Sequence, residues 1–526
     1  MTSQWVMDEM GTADLRDKRL ERRLVELLDT LSQASTSSIP AACHDRAEMV
    51  AAYRFFDNDK VGFEEVLAPH IDATYERIKT QKVVLLVQDT TELDLTRPTS
   101  EVKGAGPMGS GRRSGGFMHL MHAFTPDGTP LGSVSAEVWT REPKEDKPKA
   151  KRCSSERRMQ IKRKPFEEKE TYRWLTTSQH CAEVKEHCPT TQFVMLADRE
   201  SDITEVLDYC RSQDKFDWVI RIDGSRVLNK EKFRDQTIAI REELGNRKVL
   251  YQQTLDVRSR TAWGSEGLRH RPGKADRSAR EVVVSVHGGE VTLNDPRAGH
   301  YDGGTVNAAL VRETKPNGKD DPIECLMLTS LPVKTRKQVE LVIEYYLMRW
   351  MIELFFKVLK SGCKIESRRF EHIDRFLPSL ALYMIIAWRS LYVCRVSRTY
   401  SDESCEKVYT EAEWKSVWQV ARKSRPPRKP PTLMEMTKIV AELGGYINRK
   451  NAGPPGPQSM WLGLQAMHIM ATCWMAFGPG ADQRFVCNNE GTGERLASRR
   501  ERRPPVLRCI TWLSAIWRRF RVPTQD

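Results

Sequence analysis

Three acidic residues stand at positions typical of a site that cuts or joins nucleic acids. Asp89 and Asp198 each follow a short apolar run rich in β-forming residues, which predicts two buried strands with a carboxylate at each exit. Glu353 lies instead in a stretch with helical periodicity, from about residue 339 to 359. Two strand-end aspartates and one helical glutamate can hold a pair of divalent cations for phosphodiester chemistry. We therefore expect an enzyme that cuts and joins DNA.

The metal expected at these carboxylates is Mg²⁺, which prefers hard oxygen ligands and keeps several of its waters. Two such ions, roughly 3.5–4 Å apart, can activate the attacking oxygen and neutralise the leaving one. A single strand-end aspartate is more often a helix cap or an ion-pair partner. The prediction therefore depends on all three residues together.

A second pattern surrounds Glu353 in the same predicted helix. Tyr346, Arg349 and Lys360 share its face, at spacings of three, four and seven residues. The planar fork of an arginine suits bidentate contact with a DNA phosphate, and a tyrosine hydroxyl can donate to the same group. An ordinary amphipathic helix would show the same pattern. The stripe expected to face the core comprises Ile343, Leu347 and Leu354.

The order and spacing of these motifs resemble the IS-four group of bacterial DDE transposases, which includes the transposase of transposon five. The helical string just described, with its spacers, is similar to the signature of that group. Residues 88–91 and 197–202 resemble its two aspartate motifs, and the likeness runs over about residues 5–477. Smaller similarities lie at residues 52–56, 115–119 and 167–174.

The alternation of predicted strands and helices around the aspartates favours an α/β core. The resemblance implies that this core is a ribonuclease-H-like mixed sheet with a β-rich insertion, flanked by helical amino- and carboxy-terminal domains. The expected division is a DNA-end-binding domain at 1–70, a catalytic core at 71–375 with the insertion at about 215–320, a dimerisation region at 376–480 and an Arg-rich tail at 481–526. The tail matches nothing in the group.

One hairpin is predicted inside the insertion. Residues 282–286 and 291–293 have strand-like composition and are joined through Gly288 and Gly289. Paired glycines between two such runs are a strong hairpin signal.

The resemblance also assigns the metal ligands. It implies that Asp89 bridges both ions while Asp198 and Glu353 each hold one, and that Mn²⁺ can replace Mg²⁺. Glu200 and Asp202 repeat the acidic motif but are not expected to bind metal.

By the same resemblance, Tyr346, Arg349 and Lys360 hold a phosphate beside a flipped base. Arg221 resembles a DNA-contacting arginine of the insertion. Cys325 stands where the transposase of transposon five has a tryptophan that stacks on the flipped base. Stacking on an aromatic ring is worth roughly 1–3 kcal/mol, which a cysteine cannot supply, so cleavage through a hairpin intermediate is left open.

The first 65 or so residues are predicted to be helical, with Asp14 as a helix cap and a leucine stripe on one face. The other face is basic, and its Arg16, Arg19 and Arg22 are expected to contact DNA phosphates. A basic face is also compatible with plain solvated surface. The resemblance favours DNA, because this region aligns with the part of the group that grips transposon ends.

Composition agrees with a nucleic-acid partner. A net charge of +13 indicates a polyanionic ligand, and twelve cysteines without CxxC pairs fit reduced thiols in the cytosol. The pairs at 180–181 and 187–188 lack the close spacing of a zinc site. The start has no signal-peptide features, and the apolar stretch 460–477 is expected to be a buried helix, not a membrane span.

These patterns predict a soluble bacterial transposase in the cytoplasm, associated with the nucleoid and without a membrane partner. We expect it to bind terminal inverted repeats in double-stranded DNA, to form a homodimer around two ends, and to transfer the cleaved 3′-hydroxyls into target DNA (cut-and-paste). The alternative is a non-catalytic DNA-binding inhibitor or a decayed relative. A nuclease that cuts without joining is a third reading.

Overall fold

The computed structural model describes residues 2–479 except for a set of short gaps. The tail 481–526 and most of the charged stretch 141–169, expected to be an exposed linker or DNA-facing loop, lie outside the described residues. The gaps are residues 110–111, 143–163, 224–225, 227, 229–237, 260–276, 294–303, 319, 321 and 450–451.

Helices dominate both ends of the described chain, and strands dominate its middle. In chain order the helices are α1 (Gln4–Glu9), α2 (Lys18–Gln33), α3 (Ile39–Ala42), α4 (Arg46–Phe56), α5 (Phe63–Lys79), α6 (Tyr172–His187), α7 (Thr204–Ser212), α8 (Ile240–Gly245), α9 (Arg336–Met348), α10 (Trp350–Lys357), α11 (Ile373–Thr399), α12 (Glu411–Arg422), α13 (Leu433–Leu443) and α14 (Pro457–Phe477). Shorter 3₁₀ turns span Phe166–Glu168, Arg199–Ser201, Ile365–Ser367 and Cys405–Lys407, and a π turn spans Val358–Gly362.

The strands form one mixed sheet. They are β1 (Val83–Asp94), β2 (Gly106–Pro107), β3 (Ser114–Phe124), β4 (Pro130–Trp139), β5 (Gln192–Ala197), β6 (Asp217–Arg221), β7 (Tyr251–Val257), β8 (Arg280–Thr292), β9 (Thr305–Glu313) and β10 (Glu324–Thr329).

Five of these strands confirm the expected ribonuclease-H-like core. They lie in the order β4-β3-β1-β5-β6. β3 is antiparallel to β1 and β4, whereas β1, β5 and β6 run parallel. Because β1 and β5 run parallel, Asp89 and Asp198 lie side by side, each two residues beyond the last paired positions, Val87 and Leu196.

The central strands are buried on both faces. Leu85 and Val87 belong to a core shared with α9, α10 and α11, whereas Val84 and Leu86 belong to a core shared with α6 and α7. Since strand side chains alternate between faces, Asp89 continues the face of Leu85 and Val87. Its carboxylate therefore points towards α9 and α10.

The β-rich insertion continues the same sheet beyond β6, in the order β10-β9-β8-β7 and with antiparallel pairing throughout. The predicted hairpin is wrong. Gly288 and Gly289 lie inside β8, which passes through them without a turn and pairs with Ala309 and Ala308. A Cβ on Gly288 would lie 2.4 Å from the carbonyl oxygen of Val333. These glycines therefore permit a close backbone approach instead of a turn.

The helix predicted to start at Asp14, which is α2, begins later than predicted. Asp17, not Asp14, caps α2 by accepting the backbone N–H of Arg19. Asp14 accepts the backbone N–H of Arg16 at 2.9 Å in the preceding turn. Arg16 has a left-handed backbone (φ 54°), so the helix cannot extend back through it.

A buried polar network fastens this region to the sheet. Glu9 of α1 contacts His70 and forms an ion pair with Arg77, both on α5. His70 Nε2 accepts the backbone N–H of Ser133 on β4 at 3.0 Å. Burial by itself raises the pKa of Glu9, but His70 and Arg77 outweigh it, so the pKa lies below its ordinary value. The paired charge makes burial of Glu9 tolerable.

Within the described ranges one helix, α11, is long and apolar enough to cross a membrane, and 83% of its most apolar window is buried inside the fold. It packs against α5 and β4 as a core helix. The stretch 460–477, predicted to be a buried helix, is only half buried in α14. One face packs on α12 and α13, and the other leaves large side chains exposed, namely Leu462, Ile469, Met475 and Phe477.

Replacing Gly288 with alanine should destabilise the protein, because the new methyl group would collide with the backbone of Val333. Overpacking of this kind typically costs about 1–3 kcal/mol, so thermal unfolding of the full chain should shift to lower temperature. Gly453→Ala is the matched control, since a Cβ there would meet nothing within 4 Å. Equal melting temperatures for the two variants would contradict the close approach at β8.

Candidate active site

The three predicted carboxylates line one open cleft at the sheet edge. Asp89 lies within β1, two residues beyond the last position that pairs with β5, and Asp198 immediately follows β5. β1 does not end at Asp89, as predicted, but continues to Asp94. Glu353 projects from α10, which contacts β1. The cleft thus joins residues that are more than 100 positions apart in the chain. Its other lining residues are Thr90, Thr91, Arg349, Phe356, Lys357, Lys360 and Ser361.

Arg349 lies between two of the three carboxylates. Its Nη1 donates to Asp89 Oδ2 at 3.0 Å, and its Nη2 donates to Glu353 Oε1 at 2.7 Å. The arginine side chain is only 7% exposed. Among the described residues, its Nε has no hydrogen-bond partner. The guanidinium is therefore the counter-charge of the cleft in this conformation.

Asp89 has the most perturbed carboxyl group of the cleft. Burial and the neighbouring charge of Asp198 raise its pKa to about 7, against the opposing effect of Arg349. Its Oδ1 accepts the backbone N–H of Thr90 at 2.8 Å. A partly buried cluster of negative charge of this kind is stabilised by a nearby cation.

Asp198 is fixed by the short 3₁₀ turn that follows it. Its Oδ1 accepts the backbone N–H of Glu200 at 2.8 Å, and its carbonyl accepts the hydroxyl of Ser201 at 2.7 Å. Asp202, which repeats the acidic motif, forms an ion pair with Arg226 at 2.6 Å. It is therefore held by a protein cation away from the cleft lining.

The single helix predicted over about residues 339–359 is two helices, α9 and α10, which meet at Arg349. The faces that they turn to the core also differ from the prediction. Tyr346 and Arg349 are buried, whereas Leu347 and Trp350 are each 52% exposed. The expectation that Leu347 faces the core was wrong, although Ile343 and Leu354 are half buried. The polar stripe turns inward because the carboxylates at the strand ends compensate the buried arginine.

Tyr346 and Arg221 lie beside Cys325, next to the carboxylates. Burial and the neighbouring Cys325 raise the pKa of Tyr346 to about 12, while the positive charges of Arg349 and Arg221 act in the opposite direction. Arg221 ends β6, and Cys325 lies in the adjacent β10. Burial also raises the pKa of the Cys325 thiol.

Lys360 reaches the cleft from the π turn that continues α10. Its ammonium donates to the carbonyl oxygen of Glu92 and lies 3.5 Å from Glu366 Oε1. The predicted end-binding residues are elsewhere, at the surface of the amino-terminal region. Arg19 is 85% exposed and Arg22 is 74% exposed, both on α2, whereas Arg16 is exposed in the turn before α2 and not on the helix face as predicted.

A functional element that sequence reasoning missed is a hydrogen-bond chain beneath Asp89. Thr90 Oγ1 lies 2.8 Å from His119 Nδ1, and His119 Nε2 lies 3.2 Å from Gln88 Oε1. The Gln88 amide then donates to Ser178 Oγ at 3.3 Å, and Ser178 donates to the carbonyl of Trp174 at 2.7 Å. In the sequence, only the family resemblance at residues 115–119 drew attention to His119, and it assigned no role to that residue.

The direction of this chain follows from the protonation of His119. Burial lowers the pKa of His119 to about 3, so its ring is neutral. The carbonyl oxygen of Gln88 can only accept, which places the ring proton on Nε2. Nδ1 therefore accepts the hydroxyl proton of Thr90. Thr90, whose backbone N–H binds Asp89, is thus connected through His119 and Gln88 to Ser178 on α6.

Comparisons with known proteins match three successive parts of the chain. Three family models match in order: "Transposase DNA-binding" over residues 2–61, "Transposase DDE domain" over 177–388 and "Transposase Tn5 dimerisation domain" over 385–475. A solved structure, the piggyBac transposase synaptic complex with hairpin DNA, is similar at 10% sequence identity and a TM-score of 0.32. That match covers 75% of this chain and 65% of the piggyBac chain.

The three family models define a DDE transposase. More narrowly, because the dimerisation model is that of Tn5, the chain belongs to the Tn5-like DDE transposases, as the motif spacing predicted. The DDE model spans Asp198 and Glu353 but begins beyond Asp89, so the cleft itself is what joins the first aspartate to the other two.

Membership of this family implies dependence on a divalent metal ion. The donor set of the cleft fits such an ion, since all three side chains offer hard carboxylate oxygens and line one cleft. In the part of the chain that the structure describes, no three His, Cys, Asp or Glu side chains are already arranged to hold a metal. Arg349 stands between two of the candidate ligands.

Replacing Thr90 with valine should lower the melting temperature. The change leaves His119 Nδ1 buried without its donor, and an unpaired buried acceptor costs about 1–3 kcal/mol. Thr90→Ser keeps the hydroxyl and should unfold close to the wild-type temperature. If the valine and serine variants unfold at the same temperature, the hydrogen-bond chain does not hold this end of β1.

Proposed function

We propose that the protein binds the terminal inverted repeats of its element as a homodimer, cleaves the DNA ends and transfers their 3′-hydroxyls into target DNA. The observation that carries this proposal is the meeting of Asp89, Asp198 and Glu353 in one open cleft. The cleft lies in a chain whose family models pair a DDE domain with a DNA-binding and a dimerisation domain.

The catalytic residues would be the metal ligands. Asp89 would contact both ions of a pair, and Asp198 and Glu353 one each, with Mg²⁺ as the native ion and Mn²⁺ as a substitute. Such a bound pair supplies activation of the attacking oxygen and neutralisation of the leaving oxygen. The protein contributes the fixed position of each carboxylate, through the Thr90 backbone for Asp89 and the Glu200 backbone for Asp198.

The remaining cleft residues would hold the DNA strand. Arg349 presents a bidentate donor fork to a phosphate, with Tyr346 beside it and Lys360 further along the same helical face. Arg221 would contact DNA from the edge of β6. Cys325 offers no aromatic surface for a displaced base, so a hairpin intermediate would depend on a different stacking residue.

The two flanking regions would perform the other tasks of transposition. Residues 1–70 would bind the ends, through Arg16, Arg19 and Arg22, and residues 71–375 would form the catalytic core. Residues 376–480 would pair subunits through the exposed apolar face of α14. A protein of this organisation would act on chromosomal DNA, in the cytoplasm and in association with the nucleoid.

Replacing Glu353 with glutamine should abolish cleavage while leaving end binding intact. The amide keeps the shape of the side chain but removes the charge that a cation needs, and loss of several kcal/mol of metal stabilisation lowers the rate by more than roughly 100-fold. Cleavage of the element's own ends is measured with Mg²⁺, Mn²⁺ and EDTA. Glu344→Gln, at an exposed position of α9, is the matched control.

Retention of cleavage by the Glu353→Gln variant would exclude the three-carboxylate site. Specific end binding without cleavage by the wild type under every metal condition would instead favour the non-catalytic inhibitor.

Replacing both Arg19 and Arg22 with alanine should weaken end binding and flatten its salt dependence. Each lost phosphate contact reduces the slope of log K against log salt by about 0.9, so the double variant should lose about 1.8. Lys407→Ala with Lys415→Ala removes two cations from the carboxy-terminal region and should keep the wild-type slope. An unchanged slope in the arginine variant would remove α2 from the DNA interface.

A further inference from the structure

The carboxylates of the cleft already have a cation, and it belongs to the protein. Arg349 reaches Asp89 and Glu353 at 3.0 and 2.7 Å, each through a different nitrogen of one guanidinium. No other described side chain forms an ion pair with either carboxylate. Arg349 thus pairs with the two residues that the proposed function uses as metal ligands.

A divalent cation and Arg349 compete for these carboxylates. Mg²⁺ binds carboxylate oxygens at about 2.0–2.1 Å in a nearly octahedral arrangement. The guanidinium occupies one oxygen of each carboxylate, Asp89 Oδ2 and Glu353 Oε1, and it places like charge beside an incoming ion. Arg349 in this position therefore weakens metal binding at both residues.

Arg349 has alternative partners within reach when it leaves the two carboxylates. It lies at the junction of α9 and α10, beside an open cleft that a DNA strand can enter. Its Nε lacks a hydrogen-bond partner within the described residues, so a phosphate can offer it more complete bonding than the two carboxylates do. The half-exposed ring of Trp350, centred 5.2 Å from the guanidinium carbon, offers a surface on which the displaced cation can stack.

We propose that Arg349 is an internal competitor for the metal ligands, and that a DNA phosphate releases it. Metal binding and end binding are then positively coupled, and the cleft gains its metal only when DNA is in place. The coupling is reciprocal, because a ligand that favours the released state of Arg349 strengthens every other ligand that requires the same state. This inference rests on the proposed metal-dependent function of the cleft.

The test measures Mn²⁺ affinity of the full-length, DNA-free protein, by electron paramagnetic resonance of the free ion. Arg349→Met removes the charge but keeps a long apolar stem, and should bind Mn²⁺ about 10-fold more tightly than the wild type, within the usual range of allosteric coupling. Lys357→Met removes a cation from the same cleft that is not paired with these carboxylates, and should change the affinity much less. Equal or weaker Mn²⁺ binding by the Arg349→Met variant would overturn the proposal.

A second arm adds a duplex that carries the element's terminal repeat. The duplex should tighten Mn²⁺ binding by the wild type about as much as the methionine substitution does, and should have little further effect on the variant. If DNA tightens binding equally in both proteins, Arg349 does not carry the coupling.

Arg349→Lys provides a second test in case the methionine variant does not fold, and thermal unfolding of every protein shows whether it is folded. A single ammonium cannot bridge two carboxylates as a planar fork does, so this variant should show intermediate Mn²⁺ affinity. Wild-type affinity in the lysine variant would count against the competition. Failure of every protein to bind Mn²⁺, with or without DNA, would overturn the metal-dependent function itself, whereas Mn²⁺ binding that ignores Arg349 would overturn only this inference.

Discussion

Three like charges drawn together at one sheet edge impose the main constraint on this structure. Asp89, Asp198 and Glu353 share a partly buried cleft, where desolvation and mutual repulsion disfavour their ionised forms. The positive charge of Arg349, which pairs with Asp89 and Glu353, offsets part of that repulsion. The orientation of α9 and α10 follows from this pairing, since the helix must turn its arginine inward and leave Leu347 and Trp350 in solvent.

The scaffold holds the charges in place from several sides. Parallel pairing of β1 and β5 brings the two aspartates to the same edge, and the chain from Thr90 through His119 to α6 fixes the end of β1 from the opposite face. The Glu9 network fastens the amino-terminal helices to β4. A DNA-binding region and a catalytic sheet joined in this way keep a defined relative position.

Sequence patterns were sufficient for the parts that depend on local periodicity and strict spacing. The buried strands that lead to Asp89 and Asp198, the helical stretch around Glu353 and the family were all predicted from apolar runs and motif spacing, although β1 continues past Asp89 to Asp94. Two of the wrong predictions share a physical cause, because each depended on a long-range partner. Gly288 and Gly289 have the composition of a turn, but the sequence does not show that the backbone of Val333 packs against them. Leu347 has the spacing of a core residue, but no sequence pattern reveals that Arg349 pairs with a carboxylate 260 residues away.

Anomalous diffraction from Mn²⁺, in crystals of the protein bound to its own DNA end, tests whether the three carboxylates hold the metal. If they do, manganese peaks will lie in the cleft, ligated by carboxylate oxygens of Asp89, Asp198 and Glu353. Manganese located elsewhere would contradict the three-carboxylate site. So would a DNA-filled cleft without a manganese peak in which Arg349 still bridges Asp89 and Glu353.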